Sequence, residues 1–321
     1  MSPVVAYHDS PVLDADVLRD RLSPLDPTLV PVSEWTNEAV LEAAPNANAL
    51  IVEAYGPVDG DLIEGLEDLQ IIGRAGTGYD NIDVETADKN GVVVVNAPSY
   101  SANEVATHAL SLLLACRREL LQYDSEVKSG TWDWVPDQPF PRVHGSTLGV
   151  ISFGTIARKL ADLAAGFDLE LLVYDPFIDE AALEGYNATL CSLEELFAGS
   201  DAVSVHAPLT EETRGMLDAD AFAAMPDHAV VVNVGRGGIV DEGALYAALV
   251  DGEIASAGLD VMAQEPPEES PLFERDDVIL TPHSAWYSAD SRETLNETVA
   301  TDVLRVLQGT EPANPVGNAN W

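Results

Sequence analysis

Three short segments in the second half of the chain carry residues that could act together in acid–base chemistry. Arg236 lies in a glycine-rich stretch, Glu265 follows a second apolar run, and His283 follows a third. Each segment comes soon after a predicted β-strand. Because the carboxyl ends of parallel strands meet at one edge of a sheet, we expect these three side chains to lie near one another.

An arginine, a glutamate and a histidine together suit the reduction of a carbonyl that neighbours a carboxylate. Arg236 can bind the carboxylate through paired charge-assisted hydrogen bonds and polarise the carbonyl. His283 can donate a proton to the carbonyl oxygen once a hydride has reached the carbon. Glu265 can hydrogen-bond the imidazole, fix its tautomer and favour its protonated form. These residues therefore predict the interconversion of a 2-oxo acid and a 2-hydroxy acid, both small molecules.

A hydride donor is predicted from residues 147–157, which end one predicted strand and open a helix, as a dinucleotide-binding turn does. Its three glycine positions hold Ser152, Gly154 and Ala157. Gly154 would let the backbone approach a pyrophosphate and Ala157 is an accepted substitute, whereas Ser152 departs from the pattern at the tight turn. The residues of this turn that we expect to contact the cofactor are Ser152, Phe153, Gly154, Thr155 and Ile156.

The next predicted strand ends in an acid that indicates which dinucleotide binds. Asp175 comes 23 residues after Ser152, close to the spacing of a carboxylate that binds the adenosine ribose hydroxyls. Spacing alone would equally allow a turn residue before Pro176. No Lys or Arg occurs between Lys159 and Arg214 to neutralise a 2′-phosphate. The sequence therefore favours NAD (NADH) over NADP.

Strand-like and helix-like segments alternate along the chain, which is typical of an α/β fold with a mostly parallel sheet. Several strand candidates are β-branched runs with few polar residues, as expected of strands covered on both faces. The predicted strands are residues 49–52, 71–74, 92–95, 148–152, 170–174, 202–206, 229–234 and 278–281. The predicted helices are residues 61–66, 102–121, 156–165, 193–197, 242–250 and 289–307.

In their order and spacing, these motifs resemble the D-isomer-specific 2-hydroxyacid dehydrogenase family. The matching stretches run from about Ile71 to Trp286, and the family's catalytic residues correspond to Arg236, Glu265 and His283. The resemblance implies an NAD-dependent oxidoreductase acting on D-2-hydroxy acids. It also implies two Rossmann-like or flavodoxin-like domains with parallel sheets, an active site in the cleft between them, and a homodimer joined through the cofactor domains.

The resemblance extends to further binding residues. Residues 73–83 resemble the family's substrate loop, in which Ala75, Gly76 and Thr77 would offer backbone donors to the substrate carboxylate. Residues 206–210 resemble the loop beneath the adenine. Asp260 is expected near the nicotinamide carboxamide. The other implied cofactor residues are Val105, His206, Ala207, Pro208, Val234 and Gly235. The implied substrate residues are Tyr55, Arg74, Ala75, Gly76, Thr77 and Trp286.

Residues 281–288 resemble more closely the C-terminal-binding-protein branch of the family, whose animal members are NAD-linked transcriptional corepressors. In that branch the residues matching Arg74 and Trp286 line the substrate pocket, although either could instead be structural. An alternative is therefore an NAD(H)-sensing, corepressor-like binding protein with little turnover. A relative acting on formate or phosphite is a third possibility, but Tyr55 and Trp286 favour an organic side chain.

The 321 residues suffice for two domains. We expect residues 1–98 and 287–321 to form a discontinuous substrate domain, and residues 99–286 to form the NAD-binding Rossmann domain. Cys116 and Cys191 indicate neither a disulfide framework nor a metal site. The histidines outside the matching motifs are interpreted as surface or packing residues: His8, His108, His144 and His228.

Acidic residues dominate the charge of this chain. Asp and Glu total 55 against 15 Lys and Arg, which gives a formal net charge of −40. Binding to nucleic acid or to anionic membranes is disfavoured, because phosphate contacts need basic residues. There is no run of 18 apolar residues and no secretory signal, so we expect a cytoplasmic protein.

The net charge predicts that salt stabilises the protein, as in a halophile with a salt-loaded cytoplasm. Like charges repel at low ionic strength, and the Debye length falls to about 3 Å at 1 M salt. We expect the thermal unfolding midpoint, measured by circular dichroism, to rise from low to molar KCl. A parallel series in NaCl separates screening from effects of the particular cation. A midpoint that stays flat across both series would contradict the halophile interpretation.

Overall fold

A computed structural model describes residues 2–135 and 141–317. The chain forms two compact units, one made of Met1–Ser101 with Tyr287–Trp321 and the other of Ala102–Trp286. The first unit is discontinuous because its last helix and strand come from the C-terminal end of the chain.

Thirteen strands lie in the described residues. In chain order they are β1 (Val4–His8), β2 (Thr28–Val32), β3 (Ala49–Val52), β4 (Ile71–Arg74), β5 (Val93–Val95), β6 (Thr147–Ile151), β7 (Glu170–Tyr174), β8 (Ala188–Leu190), β9 (Ala202–Val205), β10 (Val230–Asn233), β11 (Ser256–Leu259), β12 (Val278–Leu280) and β13 (Pro315–Val316).

Eleven α-helices accompany them in residues 2–135 and 141–317. They are α1 (Ala15–Leu22), α2 (Asn37–Ala43), α3 (Gly60–Gly65), α4 (Val84–Lys89), α5 (Ala102–Arg117), α6 (Leu120–Lys128), α7 (Thr155–Ala164), α8 (Leu193–Gly199), α9 (Ala219–Ala224), α10 (Glu242–Asp251) and α11 (Ala289–Leu307). No helix in this part of the chain is both long and apolar enough to cross a membrane.

The first unit is built on a six-stranded sheet in the order β13-β5-β4-β3-β1-β2. Every pairing is parallel except that of β13 with β5. All residues of β3 and β4 are buried, and since alternate side chains point to opposite faces, both faces of the sheet are covered. Helix α11 packs closely on β4, where a Cβ on Gly73 would lie 2.7 Å from Val299.

The second unit contains a seven-stranded, wholly parallel sheet in the order β12-β11-β10-β9-β6-β7-β8. Its first strand, β6, lies inside the sheet, and the order reverses there as in a doubly wound nucleotide-binding fold. Strands β9, β10 and β11 are buried throughout, and Val231 pairs in register with Val203 and Ala257. The α/β class with parallel sheets is thus confirmed for both units.

The predicted helix over residues 102–121 is wrong in its length. Helix α5 ends at Arg117, and α6 begins at Leu120 after Glu119 adopts a left-handed φ of 50°. The buried Arg117 guanidinium donates to the carbonyl oxygens of Asp201 and His228, which holds the end of α5 against the sheet. No glycine marks this break, so the sequence pattern runs across it.

Four predicted strands end one residue too late. The first residues of the loops that follow β6, β9, β10 and β12 still donate their N–H to a neighbouring strand, but they lie outside the strands: Ser152, His206, Val234 and Thr281. The sequence patterns give no bounds for ten further elements, none longer than nine residues: β1, β2, β8, β11, β13, α1, α2, α4, α6 and α9. Such short elements contain too few residues to show a clear period.

Candidate active site

The three predicted catalytic residues all follow neighbouring strands of the second sheet. Arg236 comes three residues after β10, Glu265 lies in the loop after β11, and His283 comes three residues after β12. Strands β10, β11 and β12 are adjacent and parallel, so their loops leave the sheet at the same edge. The fold therefore explains why these distant segments of the sequence converge.

Glu265 and His283 are in direct contact. The Nδ1 of His283 lies 2.7 Å from Oε2 of Glu265, and the other carboxylate oxygen accepts the N–H of Met262 at 3.0 Å. Because an ionised carboxylate only accepts hydrogen bonds, Nδ1 carries the proton in this contact. Nε2 is thereby left as the ring nitrogen that can exchange a proton with another molecule.

The ionisation of Glu265 follows from its neighbours. Burial raises the pKa of this carboxyl, but the His283 hydrogen bond and charge, the Met262 N–H and the Arg236 charge outweigh burial. The net pKa therefore lies below its usual value, and Glu265 is an anion at neutral pH. Nδ1 of His283 therefore faces a negatively charged oxygen.

His283 has a left-handed backbone with φ of 51°, which costs a residue other than glycine about 1–2 kcal/mol. Its N–H donates to the carbonyl oxygens of Asp260, at 2.8 Å, and Thr281, at 3.0 Å. The Asp260 carboxylate also accepts the N–H groups of Ser284 and Ala285, both at 2.9 Å. These bonds from His283 and the two residues after it hold its unusual backbone in place.

The Asp260 carboxylate is 1% exposed and accepts a third hydrogen bond, from the Thr281 hydroxyl at 2.6 Å. Thr281 also contacts Nε2 of His108 on α5, at 2.9 Å. The interpretation of His108 as a surface or packing residue is therefore incomplete, because its ring belongs to this polar network. Its place on the buried face of α5, between Val105 and Leu112, is the sequence signal that could have revealed it.

Asn233 holds the loop that carries Arg236. Its side chain accepts the N–H of Gly235 and donates to the carbonyl oxygen of Arg236, both at 3.0 Å. The Arg236 guanidinium donates to the Gly235 carbonyl oxygen at 3.0 Å. Asn233 is fully buried at the end of β10, so the loop starts from a rigid point.

The predicted dinucleotide turn lies between β6 and α7. Ser152 has a φ of 71°, a conformation that glycine adopts freely, so the missing glycine is a real departure at this turn. Gly154 is the N-cap of α7, and no protein atom would lie within 4 Å of a Cβ placed on it. The first N–H groups of α7, which begins with Thr155 and Ile156, suit an anion such as a pyrophosphate.

Asp175 lies at the end of β7, beside this turn. Its Oδ2 accepts the N–H of Phe153, and its Oδ1 accepts the N–H of Phe177, both at 2.9 Å. Each oxygen keeps a lone pair that could accept a ribose hydroxyl. The Phe153 side chain is buried against the ring of Tyr186 and lies below the Arg158 guanidinium, which donates to the Ala182 carbonyl oxygen. Phe153 can therefore offer only its backbone to a ligand.

The remaining predicted cofactor residues lie near the same edge of the second sheet. His206 contacts the Ser204 hydroxyl through Nε2, and burial lowers its pKa to about 4, so the ring is neutral at neutral pH. A Cβ on Gly235 would lie 2.8 Å from the Ala207 carbonyl oxygen, so the loops after β9 and β10 touch. The rest of this set consists of Pro208, which is exposed, Val234, which is half-buried, and Val105, which is buried on α5.

The predicted substrate loop belongs to the first unit and follows β4. Gly76 has a φ of 145°, and a Cβ on it would lie 1.5 Å from Nη1 of Arg74. Arg74 is 6% exposed, donates to the Ala75 carbonyl oxygen at 2.6 Å and contacts Asn81 at 3.3 Å. The Ala75 N–H already donates to Val52, so the expectation that it is a free backbone donor is corrected: it extends the pairing of β4 with β3.

Thr77 and the two predicted pocket aromatics have different surroundings. The Thr77 hydroxyl donates to the Ala97 carbonyl oxygen at 3.1 Å, and the Thr77 carbonyl oxygen accepts the Asn96 amide at 2.7 Å. Tyr55, in the first unit, is 53% exposed, whereas Trp286, the last residue of the second unit, is half-buried. Neither aromatic is a fully buried core residue.

Comparison with known proteins places the chain among enzymes of one family. Residues 110–285 match the family model described as the NAD binding domain of D-isomer specific 2-hydroxyacid dehydrogenases. A D-3-phosphoglycerate dehydrogenase from Archaeoglobus fulgidus is 37% identical over 88% of this chain and 53% of its own length. The chain thus spans about half the length of that relative.

Two further matches cover most of the length of both proteins compared. A glyoxylate reductase from Korarchaeum cryptofilum is 37% identical over 88% of each chain. The solved structure of an NADPH-dependent glyoxylate/hydroxypyruvate reductase from Sinorhizobium meliloti, in complex with NADP and malonate, superposes with a TM-score of 0.88. It is 28% identical and covers 99% of this chain and 98% of its own.

The geometry of the Arg236 loop predicts which glycine there cannot be replaced. A Cβ on Gly237 would lie 1.9 Å from the Met262 carbonyl carbon, so Gly237→Ala must push apart the loops that carry Arg236 and Glu265. We expect it to destabilise the protein by roughly 1–3 kcal/mol or more. The matched control is Gly238→Ala, whose Cβ would meet only side chains, the nearest that of Leu209 at 3.2 Å. Equal thermal midpoints for the two variants would contradict this close packing.

Proposed function

The chain belongs to the D-isomer-specific 2-hydroxyacid dehydrogenase family, and we propose that it reduces a 2-oxo acid to the D-2-hydroxy acid with NADH, and catalyses the reverse reaction with NAD. The observation that carries this proposal is the 2.7 Å contact between His283 and an ionised Glu265, within the influence of the Arg236 charge. A histidine held this way is suited to give and take a proton, which is what the interconversion requires.

In the reduction, Arg236 binds the substrate carboxylate and withdraws electrons from the adjacent carbonyl. The nicotinamide, when bound, supplies the hydride. His283 donates its Nε2 proton to the carbonyl oxygen, so that the carbonyl becomes an alcohol and the imidazolium becomes a neutral imidazole. Glu265 stays ionised throughout and stabilises the imidazolium. The neutral imidazole left after the transfer regains its proton from solvent. In the oxidation, His283 takes the alcohol proton.

The dinucleotide is proposed to lie along the carboxyl ends of β7, β6, β9 and β10. The turn formed by residues 152–156 would hold the pyrophosphate, supported by the open space beside Gly154 and the N-terminus of α7. Asp175 would bind the adenosine ribose. The proposed contacts nearer the adenine are His206, Ala207 and Pro208, and those nearer the nicotinamide are Val105, Val234, Gly235 and Asp260.

Substrate binding is proposed for the first unit, through Arg74, Gly76 and Thr77 with their neighbour Ala75. Because the Ala75 N–H is already bonded, Gly76 and Thr77 would supply the backbone donors to the substrate carboxylate. Tyr55 and Trp286 are proposed to contact the substrate side chain, since aromatic rings offer a large apolar surface at low entropic cost. The proposed substrate is therefore a 2-oxo acid with an organic side chain.

A homodimer joined through the second unit is also proposed. Large apolar side chains are exposed on α6 and in the segment that follows it: Leu120, Leu121, Val127, Trp132 and Trp134. Trp132 is 90% exposed and Trp134 is 80% exposed. Exposed apolar groups this large commonly mark an interface, because leaving them in water is unfavourable.

The test of the proposed reaction is a panel of 2-oxo acids with NADH in high salt, repeated with His283→Asn. Asparagine tolerates the left-handed backbone at this position but cannot act as the acid. We expect turnover of at least one oxo acid, and a loss of about 10²- to 10⁴-fold in the variant with NADH binding largely kept. His144→Asn, at an exposed histidine of the same unit, is the control. Undiminished turnover by the His283→Asn variant would exclude His283 as the proton donor.

Cofactor choice provides a separate test at Asp175. A carboxylate about 4 Å from a 2′-phosphate would cost about 1–4 kcal/mol, so kcat/KM should favour NADH over NADPH by roughly 10- to 1000-fold. Asp175→Asn should reduce this preference by removing the charge. Asp179→Asn, which changes an acid at the N-cap of the next helical turn, should leave the preference unchanged. A wild-type preference for NADPH would place Asp175 outside the ribose site.

A further inference from the structure

A series of hydrogen bonds, separate from the His283–Glu265 contact, connects helix α5 to the loop that carries His283. His108 Nε2 lies 2.9 Å from Thr281 Oγ1, and Thr281 Oγ1 lies 2.6 Å from Asp260 Oδ1. The direct distance from His108 Nε2 to Asp260 Oδ1 is 3.5 Å. The bond between His108 and Thr281 joins residues 173 positions apart in the sequence.

The direction of these bonds follows from the groups involved. A hydroxyl has one proton to donate, and an ionised carboxylate has none. Thr281 must therefore donate to Asp260, and it can only accept from His108. Nε2 of His108 thus carries a proton, and the series of hydrogen bonds runs in one direction from His108 through Thr281 to Asp260.

Asp260 is the point at which this series of hydrogen bonds meets the active-site loop. Its carboxylate is 1% exposed, and burying a charge is costly unless hydrogen bonds compensate for it. The compensating donors are the Thr281 hydroxyl and the N–H groups of Ser284 and Ala285, on either side of His283. The Asp260 carbonyl oxygen also accepts the His283 N–H.

The left-handed backbone of His283 makes this support consequential. A strained conformation persists only where the surroundings determine it on several sides. If Asp260 turns away, the bonds from Ser284 and Ala285 loosen and the loop can relax. The ring of His283 would then move relative to Glu265. Thr281 opposes such a turn, because its hydroxyl bonds Oδ1, the same oxygen that accepts the Ser284 N–H, and His108 in turn holds the Thr281 hydroxyl.

We infer that His108 and Thr281 are positioning residues for the proton donor: they orient the buried Asp260, which holds the His283 loop in the geometry that proton transfer needs. This inference rests on the proposed function and adds residues to it. His108 is suited to the task because α5 packs against β10, β11 and β12, the three strands that lead to the site. The loop is thereby tied to a helix as well as to the strands before it.

The first experiment compares Thr281→Val, which removes the hydroxyl at nearly constant volume, with Thr281→Ser, which restores it. We expect Thr281→Val to lower kcat by about 10- to 100-fold, because small misplacements of a reacting group cost that much. The NADH dissociation constant should rise by a smaller factor than kcat falls, because Asp260 is only one of the proposed cofactor contacts, and Thr281→Ser should retain most of kcat. Thr107→Val is the matched control, since Thr107 is an exposed residue of α5 whose hydroxyl bonds only within that helix.

The second experiment does not depend on turnover. The Nδ1 proton of His283, bonded to Glu265, should give a downfield NMR signal that is protected from exchange with water. The signal should persist in Thr281→Ser and broaden or vanish in Thr281→Val. If the wild type reduces no 2-oxo acid, the proposed function fails, but this comparison still decides whether Thr281 positions His283.

If Thr281→Val does not fold, the variants His108→Gln and His108→Leu provide the same comparison at the other end of the hydrogen bond. Glutamine can still donate to Thr281 and leucine cannot, so the NMR signal, and kcat where there is turnover, should survive only in His108→Gln. Equal behaviour within either pair of variants would overturn the inference, because the hydrogen bond would then be irrelevant. A fall in NADH affinity that matches the fall in kcat would also overturn it, because that result indicates a cofactor contact.

Discussion

The candidate site depends on the hydrogen bond between His283 Nδ1 and Glu265 Oε2, at 2.7 Å. The two residues lie on loops after adjacent parallel strands, so the bond requires the order of the second sheet. It also requires His283 to adopt a left-handed backbone, which the buried Asp260 stabilises through bonds to Thr281 before it and to Ser284 and Ala285 after it. The His283–Glu265 hydrogen bond therefore depends on the strand order, on the loop conformation and on the ionisation of Glu265. A change in any of these three would change how His283 is held.

Close backbone contacts impose a second constraint. In the second unit Gly237 touches the backbone of Met262, and in the first unit Gly76 leaves room for the Arg74 guanidinium, so a side chain on either glycine would displace the groups packed against it. Cations are scarce in this chain, with 15 Lys and Arg against 55 Asp and Glu. An arginine near Glu265 is therefore a local exception to an acidic surface, and it matters both for binding an anion and for keeping the carboxyl ionised.

The parallel α/β class and the convergence of Arg236, Glu265 and His283 could be predicted, because both follow from local patterns of strand, loop and helix. The helical pattern can show that His108 lies on the buried face of α5, but not that it contacts Thr281 beside Asp260, since that contact depends on how α5 lies across the sheet. The Ala75 N–H was misjudged because only the pairing of β4 with β3 reveals its partner. The break between α5 and α6 at Glu119 contains no glycine, so the helical pattern of residues 102–121 does not show it.

The most direct measurement of the central claim is the handedness of the product. A prochiral 2-oxo acid that the protein reduces with NADH should be converted in high salt and the 2-hydroxy acid resolved by chiral chromatography. If Arg236 fixes the carboxylate while His283 protonates the oxygen, the hydride reaches only one face of the carbonyl and a single isomer forms. The family to which the chain belongs predicts that this is the D isomer. Formation of the L isomer or of a racemate would contradict the assigned arrangement of these residues.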